Sequence, residues 1–303
     1  MGVAIFGVGV LCFLVSANVF LAGLPACRAD EELCSAWNHM VLDTSQGYTS
    51  AEGAAMRIVE FVRPNSTIID VGGHLGRFAE AIHRSGKQPR SVFIFEPLRV
   101  LHLCQIKRLG RIVNQFGSPQ FKFFNHALGN ADNVVESIKI APGEWTTSAL
   151  PEGWNTMLDA DPGLDAADSD LPEWKDVMRR ESIVVRTLSS ILAETDPYLY
   201  EDISVIKIDT EGYEGEVLRG ALPFLERISQ DANKILPVMI VETAWGISRH
   251  PDKERNLETY QQLVDLGYCD VPLPRYQTMD VLWVPREVDP SCSKHKILEG
   301  GRL

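Results

Sequence analysis

The sequence predicts an α/β fold built on a mostly parallel sheet, and three stretches predict it. Ser66 to Phe78, STIIDVGGHLGRF, opens as a run of β-branched and apolar residues long enough for a buried strand. It closes in an acid and three glycines, Asp70, Gly72, Gly73 and Gly76. Ser91 to Pro97, SVFIFEP, is a second apolar strand that ends in Glu96. Ser204 to Gly220, SVIKIDTEGYEGEVLRG, repeats the layout, with a strand Val205–Ile208 ending in Asp209 and a helix opening at Glu211 and Gly212. Strands that alternate with helical patterns call for a parallel sheet, and open sheets of this kind bind ligands at the carboxyl ends of their strands.

Those strand ends carry the chemistry. After Asp70 the glycines let a ligand approach the backbone closely, because glycine has no Cβ. Glu96 lies 20 residues past Gly76, the interval at which nucleotide-binding α/β units offer a carboxylate to ribose hydroxyls. The glycines do not follow the G-x-G-x-x-G spacing that accommodates a pyrophosphate, and Asp70 would repel phosphates. S-adenosylmethionine has a ribose, a sulfonium cation and no phosphate, so it fits better than a nicotinamide dinucleotide, and an oxidoreductase on the same fold is disfavoured. Asp209 and Glu211 stand at a strand end beside this nucleotide site, where a reacting atom must be.

The 303 residues, 45% hydrophobic and 23% charged, are enough for one sizeable core. A net charge of −12 argues against a nucleic-acid or anionic-membrane surface, where clustered Lys and Arg would be needed. Val3 to Leu24 carries no charge over 22 positions, so it either spans a bilayer, which takes ~20 residues, or is removed as a signal peptide near Ala29. The chain therefore divides into a signal peptide or membrane anchor (1–29), a lead-in (30–51), a main domain (52–286) and a tail (287–303). Few cations follow the apolar run, which favours a membrane-anchored or secretory, lumenal body and leaves a cytosol-facing one open.

Apart from Cys12, the cysteines are Cys27, Cys34, Cys104, Cys269 and Cys292, an odd number without metal-ligand spacing. At most two bridges can form, no metal site is expected, and Cys104 reads as a buried free thiol. Asn65-Ser66-Thr67 is a formal glycosylation acceptor at the entrance of the first strand, on the face away from the ligand.

The remaining elements follow in order. Ala54, Met56, Ile58, Val59 and Val62 sit at helical spacing before Pro64 and predict an amphipathic lead-in beside the nucleotide site. Helices are expected at Arg77–Arg84 and Leu98–Leu109, and Phe121 to Leu128 reads as a third strand with Asn125 and His126 near its end. Asn125 can both donate and accept, as an adenine edge requires, whereas His126 reads as a surface histidine. Glu136–Ile140 and Ile183–Leu188 alternate like a hairpin, and the 38 residues from Gly143 to Arg180 are too long for an ordinary loop and read as a lid. Ile235 to Glu242 is a fifth strand ending in an acid. After a helix from about Asn256 to Leu266, short strands at Cys269–Leu273 and Met279–Val284 are placed to pair antiparallel and close one edge of the sheet.

Four blocks resemble the FkbM family of S-adenosylmethionine-dependent methyltransferases: IIDVGGHLG from Ile68, FEP from Phe95, NHALGN from Asn125 and IKIDTEGYEGEVLRGA from Ile206. The family's Lys-Ile-Asp-x-Glu-Gly-x-Glu run is matched by Lys207, Ile208, Asp209, Glu211, Gly212 and Glu214, and Glu242 matches the acid ending its fifth strand. The likeness runs from about Glu52 to Pro285. It departs at Gly73-His74, where Ala-Asn is usual, and at Ser189, where an Asp usually follows Thr-Leu. The resemblance implies a Rossmann-like class I methyltransferase with a seven-stranded sheet, and methyl transfer to a hydroxyl oxygen of a sugar or secondary metabolite, so the partner is a small-molecule or glycan acceptor. On this reading Asp70, Gly72, Gly73 and Gly76 hold the aminocarboxypropyl side of S-adenosylmethionine, Glu96 the ribose and Asn125 the adenine. Asp209 is the acceptor-side base or orienter, with Glu211 and His74 behind it. The alternative, prompted by His74 and Ser189, is a catalytically silent cofactor-binding or scaffold protein on the same fold.

Overall fold

The computed structural model describes residues 55, 57–116, 120–140, 179–195, 202–210, 212–242, 253–272 and 280–290, all within one compact unit, Tyr48–Leu303. In chain order its first half contains β1 (Thr67–Val71), α1 (Arg77–Arg84), β2 (Ser91–Phe95), α2 (Arg99–Phe116), β3 (Gln120–Phe124), β4 (Ala127–Leu128), β5 (Val134–Ile140) and β6 (Arg179–Arg186). The second half contains α3 (Leu188–Glu194), β7 (Ile203–Ile208), α4 (Glu214–Ser229), β8 (Val238–Glu242), α5 (Lys253–Asp265), β9 (Tyr268–Pro272) and β10 (Asp280–Pro285).

Seven strands form the main sheet in the order β3-β2-β1-β7-β8-β10-β9. The first five are parallel, and β10 runs antiparallel to both β8 and β9, which makes the antiparallel C-terminal edge. Every residue of β1, β2 and β7 is buried, the pattern of central parallel strands covered on both faces. Side-chain alternation then divides the core. Ile69, Val71, Phe93, Phe95, Ile206 and Ile208 face α3 and α4 through Leu188, Leu192, Val217, Leu218 and Ala221. Ile68, Val92, Ile94 and Val205 face Phe78, Ile82 and Leu109 of α1 and α2. Each such side chain is worth roughly 1.5–3 kcal/mol of burial, so the register that puts it inside is firmly set.

Ala55, Ile58 and Val62 join the second of these faces, so the end of the lead-in, running into the 3₁₀ turn Val59–Phe61, packs in the layer that α1 and α2 form. The expected hairpin is present as β5 paired antiparallel with β6. The expected third strand differs, since the chain breaks at Asn125-His126. Gln120–Phe124 pairs with β2, while Ala127–Leu128 turns away and pairs with β6 in a separate three-stranded sheet, β4-β6-β5. Cys104 also differs from expectation. It is a half-cystine, as Cys269 separately is on β9 at the other edge of the sheet, and burial alone does not separate a thiol from a half-cystine because both are apolar. Asn65 is exposed at the entrance of β1, while Thr67 of the same triplet is buried. The uncharged run 3–24, the lid segment from 143 to 178 and the tail beyond 290 lie outside the described residues. Among the described residues no helix is long and apolar enough to cross a membrane.

Ser189, one of the two departures from the family pattern, has a packing reason. Its hydroxyl donates to the Gly220 carbonyl at 2.8 Å and accepts from the Phe224 amide at 3.2 Å, so it is inserted into the hydrogen-bond ladder of α4 beside Pro223. An aspartate there could accept from Phe224 but could not donate to Gly220. Ser189→Ala is expected to lower stability by about 1–2 kcal/mol and Ser189→Asp by more at neutral pH, read as the shift in urea midpoint. Equal stability of all three proteins would remove this role.

Candidate active site

The turn after β1 is pinned over the end of β2, because the amides of Gly72 and Gly73 both donate to the Phe95 carbonyl, at 3.1 and 3.0 Å. Gly72 is required there on two counts. Its φ is +73°, and a Cβ would lie 1.8 Å from the Asp209 carbonyl oxygen, so the turn is backed directly onto the end of β7. At Gly73 the constraint is space alone. A Cβ would lie 2.3 Å from Ile94 Cγ2 and 2.8 Å from Gln105 Nε2, and Gln105 is fully buried. In this chain Ile94 and Gln105 fill the volume that a methyl group at position 73 would need.

His74 adopts φ +46°, a left-handed conformation that histidine and asparagine enter more readily than most residues. Its amide donates to Glu96 Oε2 at 2.9 Å, and the Leu98 amide donates to Glu96 Oε1 at 2.9 Å, so β2 and the glycine turn close on one carboxylate. Glu96 is 4% exposed, and burial pushes its carboxyl up to about 7 against the opposing pull of those two amides. The His74 imidazole is driven down to about 4 by burial and by the nearby Lys207 ammonium, and is neutral at pH 7. Gly76 leads into α1, whose first turn has no side-chain cap and therefore offers amide donors.

A buried cation lies beneath the turn. Lys207 Nζ donates to the Gly72 carbonyl at 2.7 Å and sits 3.4 Å from Asp70 Oδ1 and 3.2 Å from Asp209 Oδ2. Asp70 is fully buried, and desolvation raises its carboxyl despite Lys207; Asp209 is one-third exposed. For Asp209 burial acts upward, but Lys207 and a hydrogen bond from Glu242 outweigh it and hold the carboxyl below its ordinary value. Asp280 pairs in register with Glu242 across β10 and is bridged to Arg57 at 3.3 Å.

The predicted residues thus converge on the carboxyl end of the sheet. Asp70, Gly72, Gly73, Gly76, His74, Glu96 and Asp209 are adjacent there. Asn125 joins them with an altered part, since its side-chain amide donates to the Glu96 and Pro97 carbonyls at 2.9 and 2.8 Å. Only its oxygen remains for an adenine. Glu211 lies outside the described residues. Glu214, read from sequence only as a motif match, accepts from the Thr210 amide and hydroxyl and from the Gly212 amide, at 2.8, 3.0 and 3.1 Å, and so shapes the turn after Asp209. Lys207 was missed as a site residue, although a lysine within the apolar run VIKI signals a buried cation that must find carboxylates. Arg57 and Asp280 gave no local signal. Among the described residues no group of three His, Cys, Asp or Glu is placed to hold a metal ion.

Comparison with known proteins follows the same lines. The sequence profile of the Methyltransferase FkbM domain matches residues 70–268. Similar solved structures include a methyltransferase FkbM from Methylobacillus flagellatus KT, at 14% identity and a TM-score of 0.42, covering 85% of this chain and 58% of that one. The present chain therefore spans little more than half the length of that protein. An O-methyltransferase from Bacillus cereus in complex with SAH is 9% identical with a TM-score of 0.41, over 88% of this chain and 92% of that one. The magnesium protoporphyrin IX methyltransferase of Synechocystis PCC 6803 with bound SAM is 8% identical with a TM-score of 0.38, over 88% and 98%. No curated protein matches the sequence. With its profile covering most of the chain and the glycine turn, Glu96 and Asp209 gathered at one sheet end, the chain belongs to the FkbM methyltransferase family.

Proposed function

We propose that this protein transfers the methyl group of S-adenosylmethionine to a hydroxyl oxygen of a small-molecule or glycan acceptor. The observation that carries the reading is Asp209, an ionised and one-third-exposed carboxylate whose strand end is in contact with the glycine turn. The residues present fit the cofactor. Glu96 offers a carboxylate for ribose hydroxyls, the uncapped first turn of α1 offers amides to a carboxylate, and Gly72, Gly73 and Gly76 line the aminocarboxypropyl side, whereas Asp70 is buried beneath them against Lys207 and supports the turn from below. Asn125 Oδ1 is left to accept from the adenine amino group.

When bound, S-adenosylmethionine supplies an electrophilic methyl group on a sulfonium. The protein's part is alignment of an acceptor oxygen with that methyl and removal of one proton. Asp209 accepts a hydrogen bond from the acceptor hydroxyl and so orients its lone pair. As the new C–O bond forms, the hydroxyl proton becomes strongly acidic, and a carboxylate held below its ordinary pKa suffices to receive it. Glu242 steadies Asp209, and neutral His74 stands behind it as a further polar group of the acceptor side. A membrane-anchored or secretory location is supported by the uncharged run 3–24 and by the bonded state of Cys104 and Cys269, since disulfides persist in oxidising compartments.

Asp209→Asn is the direct test, in a screen of hydroxylated acceptors followed by release of S-adenosylhomocysteine. The expected result is a fall in turnover of at least ~100-fold with S-adenosylhomocysteine affinity within a few-fold of wild type. Full turnover in the variant would remove Asp209 from the reaction.

A further inference from the structure

We propose that Lys207 is a positioning residue that couples the cofactor turn to the acceptor-side carboxylate, with one buried ammonium fixing the Gly72 carbonyl and holding Asp209 ionised. The part concerning the acceptor rests on the reading of Asp209 given above. Lys207 is 3% exposed on β7, between β1 and β8. Its Nζ lies 2.7 Å from the Gly72 oxygen, 3.3 Å from the Val71 oxygen, 3.2 Å from Asp209 Oδ2 and 3.4 Å from Asp70 Oδ1. Three N–H donors thus face four acceptors, two on the chain segment that enters the glycine turn and two on carboxylates.

The electrostatics give that arrangement a direction. Burial alone would lower the pKa of this ammonium, yet Asp209 and Asp70 reverse the effect and hold it above the ordinary lysine value. The titratable and charged groups around it are Asp70 on β1, His74 in the turn with Arg77 at the start of α1 beside it, Glu96 after β2, Asp209 at the end of β7 with Glu242 of β8 beside it, and Asp280 on β10 with its partner Arg57. Among them Lys207 is the cation that touches both Asp70 and Asp209. A neutral side chain in its place leaves two neighbouring carboxylates uncompensated, raises the carboxyl pKa of Asp209, and frees the Gly72 carbonyl that the ammonium anchors. The position of the turn and the charge of the acceptor-side carboxylate are therefore set by the same atom. Neither the glycine spacing nor the Asp209 motif by itself implies that link.

The test uses the full-length chain with Lys207→Gln, which keeps a polar donor and removes the charge, and the double variant Lys207→Gln/Asp209→Asn. Thermal midpoints are read without ligand from pH 5 to pH 8, and S-adenosylhomocysteine affinity is read at pH 7. Lys207→Gln is expected to melt about 5 °C or more below wild type at pH 8 and to recover as the pH falls, because its unpaired carboxylates take up protons. The double variant is expected to regain at least half of that loss at pH 8, and the single variant to bind S-adenosylhomocysteine at least tenfold more weakly. A deficit that is the same at every pH, or a double variant no better than the single one, would overturn the coupling. Failure of wild type to bind S-adenosylhomocysteine would instead count against the methyl-transfer reading, and the pH-dependent rescue would still report on the ion link.

Discussion

Gly72→Ala is expected to weaken S-adenosylhomocysteine binding by at least ~100-fold, roughly 2.7 kcal/mol, while leaving the far-ultraviolet circular dichroism of the chain unchanged. The added Cβ would sit 1.8 Å from the Asp209 carbonyl oxygen and 2.9 Å from its carbon, both backbone atoms that cannot swing aside. Either the turn must rise from the end of β7 or β7 must recede. The positive φ adds about 1–2 kcal/mol of strain for any residue with a Cβ. Both responses spoil the same thing, the distance between the glycine turn and Asp209, the carboxylate proposed to face the acceptor. Binding by the alanine variant within a few-fold of wild type would show that the ligand does not use this turn.

Lowering the pH from 8 to 6 is expected to weaken S-adenosylhomocysteine binding about tenfold, the loss setting in near pH 7 and steepening below it. Glu96 is buried, and its carboxyl in the free protein is pushed up to about 7. Ribose hydroxyls donate to the ionised carboxylate, so the ligand binds best where Glu96 has lost its proton and must displace that proton below pH 7. The stability of the free protein responds in the opposite sense. Between the unfolded value near 4.5 and the folded value near 7 the native state holds the extra proton, so this residue's contribution falls as the pH rises through that window, by ~3 kcal/mol in all. Above pH 7 the penalty is constant. Titrating affinity calorimetrically and stability with urea across pH 5–8 should thus give slopes of opposite sign, and Glu96→Gln should flatten both. Parallel slopes, or slopes that survive Glu96→Gln, would assign the pH dependence to another group.

The strands that build the site were legible because burial on both faces leaves no room for alternation. TIIDV, SVFIF and ISVIKI read as dominantly apolar runs without polar alternation, and the acids at or beyond their ends mark where the sheet stops. The antiparallel pair β9 and β10 was legible from its short spacing. Phe121 to Leu128 misled because the run FKFFNHAL keeps its strand character through Asn125-His126, whereas the structure spends the Asn125 amide on the Glu96 and Pro97 carbonyls and sends the chain to a second sheet. The charges beneath the turn were only half visible. Asp70, Asp209 and Glu242 end strands and declare themselves, but Arg57 meets Asp280 from 223 residues away, and no local pattern encodes such a contact. The departures at Gly73 and Ser189, which from sequence alone cast doubt on activity, turn out to be matched by Ile94 and Gln105 in one case and by the α4 ladder at Pro223 in the other.

The most direct measurement is calorimetric titration of the full-length chain with S-adenosylmethionine and with S-adenosylhomocysteine, beside a Glu96→Ala control. The account predicts that both ligands bind one site at micromolar concentrations and that Glu96→Ala weakens both by at least tenfold, since the carboxylate held by the His74 and Leu98 amides faces the ribose they have in common. Absence of binding in folded protein, or binding indifferent to Glu96→Ala, would contradict it.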